Sequence, residues 1–332
     1  LCLVFRLISH LMCDPIQRGN TMARFLAKRV VYELVTLFLV ITATFFLIAG
    51  APGDPIAAKV EQMPERAQQV IRAKYGLDRP VLERYVRYMK NLILKGDFGQ
   101  SIVYTGRRVN DVIRENAPIS GRVGAIALAL DLVIGIVLGL LMAFNHGRLA
   151  DHVLRVCIVL AICTPLFVFA AILQYYVAFK WRLAPIFGWG RPEHYIMPVL
   201  TMSIGGIAVY AKYMRSSALS VVGEDYIVTA KSKGCNRRRI LQKHVLRNSM
   251  IPIVTMTGPS IAGIFGGSFI IEKVFSIPGL GRYYVKAVSD SDYTMVLGLT
   301  VFFAVLYVAS LIAVDIMYCV VDPRIRIPGT EG

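Results

Sequence analysis

Charge is scarce in this sequence. Only 17% of its 332 residues are Asp, Glu, Lys or Arg, while 56% are hydrophobic; a soluble domain carries about a quarter charged residues. That shortage excludes an ordinary soluble globular chain and points to a protein that faces lipid. The G-x-x-x-x-G-K-[ST] phosphate loop is missing, so by that design the chain cannot be its own ATPase. Cysteine is sparse as well: Cys2, Cys13, Cys157, Cys163, Cys235 and Cys319 form no CxxC, and most lie in apolar stretches, where a thiol acts as a small hydrophobe. The histidines are dispersed, His146 and His152 being the nearest pair, and no HExxH occurs, so no metal site is expected. The net charge of +16 does not imply nucleic acid, because the basic residues cluster between long apolar runs. Cytoplasmic loops of membrane proteins have that character.

What is present is a series of apolar runs. Crossing a bilayer takes about 20 such residues, and six stretches qualify: 34–53, 123–147 (interrupted only by Asp131), 156–179, 194–211 (the weakest), 248–271 and 293–314. Arg18, Arg24, Lys28 and Arg29 precede the first, which places the N-terminus in the cytoplasm. Residues 146–155, 212–247 and the tail bearing Arg324 and Arg326 then also face inward. The 212–247 loop carries nine Lys and Arg against only Glu224 and Asp225, so charge and span count agree.

The ends and the outer segment complete the outline. Residues 1–21 read as an over-extended start, with Met22 opening the natural chain. Residues 22–53 hold the first span, and 54–117 face outward. In that outer segment Pro64 and Pro80 read as helix starts and Gly76 and Gly96 as stops, with Val81, Leu82, Tyr85, Val86, Met89 and Leu92 forming a helical apolar stripe. It is either a small cap or a docking surface for an external partner. Residues 118–322 form the membrane core, with an inner loop at 216–250, and 323–332 the cytoplasmic tail.

That inner loop is the most informative stretch. Gly234 splits two helix-like runs, and a glycine after a helix turns the chain through a positive φ. Asn236 can cap the second run, where Ile240, Leu241, His244 and Val245 share a face. Such a hairpin is either a grip for a soluble motor or a basic element drawn to anionic lipid. Elsewhere, Gly135 and Gly139 form a G-x-x-x-G pair that permits close helix packing. Pro165, Pro252 and Pro259 are candidate kinks. The turn 276–281, with Pro278, Gly279 and Gly281, is a tight loop or part of an external gate. Asp131 is a carboxylate well inside a span, where charges usually face a bundle interior or water; it marks a pathway or subunit interface, or else a structural pair with a neighbouring helix.

The inner loop resembles the coupling motif of binding-protein-dependent ABC permeases, which reads Glu-Ala-Ala, a short spacer, Gly, and a hydrophobic-x-Leu-Pro ending. Here Val228-Thr229-Ala230 stands at the triplet, Gly234 at the glycine and Leu246-Arg247 at the Leu-Pro position. Valine for glutamate puts the usual ATPase contact in doubt, and Glu224 or Asp225 are its substitutes. LIAGAPGDP (47–55), YGLDRP (75–80), GDFGQS (96–101), GGSFIIEKVFSIPGLG (266–281) and DPRIR (322–326) are similar to the peptide-permease branch, B-type subunit.

The resemblance implies an all-α polytopic membrane protein: six transmembrane helices, an extracytoplasmic helical insert between the first and second, and a place in a bacterial or archaeal inner membrane. It implies a homologous second permease, a pair of cytoplasmic ABC ATPases that use ATP and Mg, an extracytoplasmic peptide-binding protein and a peptide substrate. The chain itself would bind no cofactor and catalyse nothing. The coupling residues it implies are Glu224, Asp225, Ala230, Gly234, Asn236, Arg237, Ile240, Leu241 and His244. Nickel chelates, haem and glutathione remain alternative cargoes. An ion-coupled carrier would find only Asp131 and Asp315 in the spans, and an intramembrane aspartyl protease would lack its G-x-G-D motif.

Overall fold

The structure is a computed structural model and describes residues 22–50, 64–76, 78–104, 106–266 and 269–321. The expectations for 1–21, DPRIR and the tail lie outside these residues. The described residues are helical apart from connecting turns and a single bridge between Gln100 and Arg108. In chain order the helices are α1 (Met22–Ala49), α2 (Glu65–Tyr75), α3 (Val81–Lys95), α4 (Val109–Phe144), α5 (Leu149–Cys163) and α6 (Leu166–Leu173), which widens into a π-helical stretch at Gln174–Lys180. They continue with α7 (Glu193–Val222), α8 (Asp225–Ser232) and α9, which opens at Arg237–Ile240, passes through a π-helical stretch at Leu241–Leu246 and ends in Arg247–Ser249. Then come α10 (Ile251–Gly266), α11 (Phe269–Val274), α12 (Leu280–Ser289) and α13 (Tyr293–Val321).

Four of these are long and apolar enough to cross a membrane: Lys28–Ala49, Val109–Phe144, Glu193–Val222 and Tyr293–Val314. The expected count of six is therefore not reached by single helices. The third stretch is broken, since Leu149–Cys163 and Leu166–Lys180 meet at 103°. Pro165 is the reason: Thr164 before it is extended, with φ −85° and ψ 124°, because the proline ring disfavours a helical residue at the preceding position. The fifth stretch is divided too, its apolar helix Ile251–Ile261 being shorter than a span. The weakest stretch, by contrast, lies in a continuous helix of 30 residues. The boundary at 117–118 falls inside α4, which carries Pro118 in its interior.

The centre of the fold is the long contact of α4 with α7. A Cβ on Gly135 would lie 2.6 Å from Tyr210 Cβ, and one on Gly139 2.7 Å from the Ala211 carbonyl oxygen. The two glycines let α7 backbone approach where any side chain would hold it off, as their spacing predicts. In the segment before α4, Gly76 and Gly96 end α2 and α3 with φ of 66° and 60°. The GDFGQS turn is pinned to α13 by the buried Asp292, whose carboxylate accepts Ser101 Oγ, Ile102 N at 3.2 Å and Met295 N at 3.2 Å.

Candidate functional site

The hairpin between α7 and α10 is built by local rules. Asp225 complements the positive end of α8. The helix closes with Gly234 at φ 76°, Gly234 N donating to Lys231 O at 2.9 Å and Cys235 N to Ala230 O at 3.1 Å. This is the paired-bond Schellman ending, which needs a left-handed residue at its centre. Asn236 then caps α9, its Oδ1 accepting Arg239 N at 2.8 Å.

Packing gives the hairpin two faces. Ile227, Ala230, Ile240 and Val245 are buried in one cluster with Ala143 of α4 and Ala218 of α7, walled by Leu140, Phe144, Leu219 and Cys235. Burying an Ile or Val side chain is worth about 1.5–3 kcal/mol, so Ile227, Ile240 and Val245 seat the hairpin firmly. Glu224, Asp225, Tyr226, Val228, Thr229, Lys231 and Ser232 are exposed, as is Asn236. Ala230 and Ile240 therefore sit on the inward side and hold the hairpin to the membrane helices. Leu241 and His244 are half-buried at the edge. Gln242 and Lys243 between them are exposed, so Ile240, Leu241, His244 and Val245 stay on one side of α9 through its π-helical stretch. Tyr226 joins the limbs, accepting Asn248 Nδ2 at 2.9 Å. The Arg237 side chain lies outside the described ones.

Beside the hairpin is an ion-pair knot that the sequence does not reveal. Asp151 is fully buried, and Arg215 of α7 grips it twice, Nε to Oδ1 at 2.8 Å and Nη2 to Oδ2 at 2.9 Å. Gly147 N donates to Oδ2 at 3.2 Å, and Arg155 Nε stands 3.7 Å from Oδ1. The hydrogen-bonded Arg215 guanidinium holds the Asp151 carboxyl well below the usual carboxylate range, against the opposing effect of burial. The knot binds α5 to α7 at the end where the hairpin docks.

A second buried carboxylate organises the 276–281 turn. Glu272 accepts Ser120 Oγ at 2.7 Å and Arg282 N at 3.0 Å, and Ser120 Oγ accepts Leu280 N at 2.9 Å. A Cβ on Gly279 would fall 2.4 Å from Glu272 Oε2, and one on Gly281 2.5 Å from the Phe269 ring. Gly279 and Gly281 are thus buried close to a carboxylate at the positive end of α12, and Pro278 is half-buried.

Asp131 lies between α4 and α7, where Gly206 makes room for it: a Cβ there would be 1.9 Å from Oδ2. Its Oδ1 is buried and has no hydrogen-bond partner among the described residues. Asp315 falls on α13, and its side chain is not among the described ones.

Long apolar helices, and a hairpin seated on them with an exposed outer face, define a multi-pass membrane protein. The sequence profile of the "binding-protein-dependent transport system inner membrane component" matches residues 135–327, and that of the N-terminal part of such components matches 22–107. The chain belongs to this family of transport permeases. It is 35% identical to the dipeptide transport system permease protein DppB of Lactococcus lactis subsp. cremoris over 92% of this chain and 100% of that one. Identity to DppB of Bacillus subtilis is 36% over 92% and 99%. With the oligopeptide transport system permease protein OppB of Haemophilus influenzae it is 38% over 92% and 100%.

Proposed function

We propose that this chain is one of a homologous pair of permease subunits in an ATP-driven peptide importer of a bacterial or archaeal cell membrane. Both termini and the α8–α9 hairpin face the cytoplasm, and 54–117 faces outward. The chain crosses six times, the broken 156–179 stretch and α10 each counting as one crossing. The distribution of Lys and Arg supports this orientation. A pair of cytoplasmic ABC ATPases grips the hairpin and uses ATP with Mg; the chain holds no cofactor. An extracytoplasmic binding protein delivers the peptide, and the 276–281 turn helps close the outer mouth. The relatives named for dipeptide and oligopeptide transport favour peptide over nickel chelate, haem or glutathione.

The observation that carries this reading is the two-faced hairpin. Its inward residues are fixed to α4 and α7, and its outward residues are free to meet a partner that changes shape. Binding energy can drive the spans only if the partner holds the hairpin differently in its two states. Val228, 56% exposed, is the apolar centre of the outward face. Val228→Lys should leave the chain folded in the membrane while ATPase subunits fail to co-purify and peptide uptake in proteoliposomes falls at least tenfold, the equivalent of about 1.4 kcal/mol. Normal ATPase retention and uptake would refute the assignment of this face.

A further inference from the structure

We infer that α3 is an interfacial helix whose free apolar row sits in the headgroup–acyl boundary of the bilayer, its flanking cations meeting lipid phosphate. The helix has more apolar surface than the protein covers. Tyr85, Tyr88, Met89 and Leu92 pack against Ile41 and Phe45 of α1 and Leu297 and Val301 of α13. Leu82, Val86 and Ile93, one row at helical spacing, remain 65%, 57% and 70% exposed. Lys90 and Arg87 are exposed along one edge of that row and Lys95 ends the helix; Glu83, the sole acid of α3, stands 3.7 Å from Arg87. An apolar stripe edged by cations is the pattern of a helix lying in a membrane surface, where the long basic side chains reach back to the headgroups.

The position of α3 decides for lipid over a soluble partner. Tyr85 OH bonds Thr42 Oγ1 at 2.7 Å, and the Tyr85 ring lies 5.4 Å from Phe45 and 5.3 Å from Phe46. Thr42 precedes the end of α1 by roughly 10 Å of helix rise, so α3 meets the spanning helix near its terminus, at interface depth. Phe46 and Leu47 of α1 are themselves 42% and 68% exposed, and Phe38 and Leu39 below them about half. α3 thus joins a membrane-crossing helix beside that helix's own uncovered apolar surface. Tyr85 and Tyr88 stand at the junction, where aromatic residues favour the membrane boundary.

The test uses the assembled transporter in nanodiscs, on a background with its native cysteines replaced by serine. Val86→Cys, Ile93→Cys and Arg87→Cys are each labelled with an environment-sensitive fluorophore. In nanodiscs of phosphatidylcholine with phosphatidylglycerol, the labels at 86 and 93 should emit to the blue and lose most of their emission to lipids spin-labelled near the headgroup. The label at 87 should stay water-like. Omitting phosphatidylglycerol, or introducing Lys90→Glu with Lys95→Glu, should reduce the blue shift at 93. Water-like, unquenched labels at 86 and 93 would overturn the inference. So would labels shielded only when an extracytoplasmic binding protein is added, which would make this row a protein-docking surface.

Discussion

Gly234→Val tests the hairpin at its weakest point. The wild-type residue holds φ 76°, where an L-residue costs about 1–2 kcal/mol and a β-branched one more. No atom lies within 4 Å of a Cβ built there, so the penalty is purely conformational. Against it stand Ile227, Ile240 and Val245, each burying a side chain worth about 1.5–3 kcal/mol. Seating outweighs strain, so the hairpin stays on α4 and α7 while its turn opens. Losing 1–2 kcal/mol depopulates the correct turn by roughly 5–30-fold. Variant and wild type should reach the membrane equally, and peptide-stimulated ATP hydrolysis by the purified complex should fall by about that factor. Gly234→Asn separates strain from side-chain bulk, because asparagine tolerates the left-handed region, and it should keep most of the activity. The reasoning fails if valine is harmless, or if asparagine is as damaging as valine.

Three further outcomes follow from contacts elsewhere. Asp151→Asn should cost about 3 kcal/mol of thermal stability by leaving the half-buried Arg215 without its anion, and adding Arg215→Gln should restore part of the loss. Because the folded carboxyl is depressed, its contribution is complete above the unfolded value near pH 4 and fades as pH falls toward the folded one; unfolding midpoints of wild type and Asp151→Asn should therefore converge in acid. Gly279→Ala drives a methyl to 2.4 Å from the Glu272 carboxylate, and calorimetry should register about 1–3 kcal/mol, whereas half-exposed Pro278→Ala should cost less. Gly139→Leu should part α4 from α7 and lower the melting temperature by several degrees, while Gly205→Ala, with nothing within 4 Å, should leave it unchanged.

Features set by neighbours in the chain were legible in the sequence. The Gly234 turn, the Asn236 cap, the glycine stops at 76 and 96 and the Gly135–Gly139 contact each follow from backbone or side-chain chemistry within a few residues. The polar anchors were not, because their partners are remote: Ser120 reaches Glu272 across 152 positions, Arg215 reaches Asp151 across 64, and Ser101 reaches Asp292 across 191. Hydropathy counts residues and is blind to direction, so the 156–179 run passed for one span although Pro165 turns it through 103°. The inward position of Ala230 was not legible for a related reason. A short polar helix gives little amphipathic signal, and its inward side is fixed by Ala143 and Ala218, which belong to other helices.

The hairpin's seat determines what moves with it. Ile227 and Ala230 rest on a helix pair zipped by Gly135 and Gly139, a contact that depends on the absence of side chains. The Asp151–Arg215 knot adds α5 through charge and hydrogen bonding. These two devices respond to different insults, bulk for one and lost charge for the other, so neither substitution alone frees all three helices. In the proposed function, a partner that displaced α8 would through these contacts carry α4, α5 and α7 with it, as far as the Thr164–Pro165 break. Because Pro165 removes a backbone donor at that point, the bend costs less there than within an unbroken helix. Outward Val228 and inward Ala230 are two residues apart on α8, one open to solvent and the other closed over α4 and α7. In the proposed function, that short distance is enough for a partner's shape change to reach the membrane helices without any side chain having to transmit both.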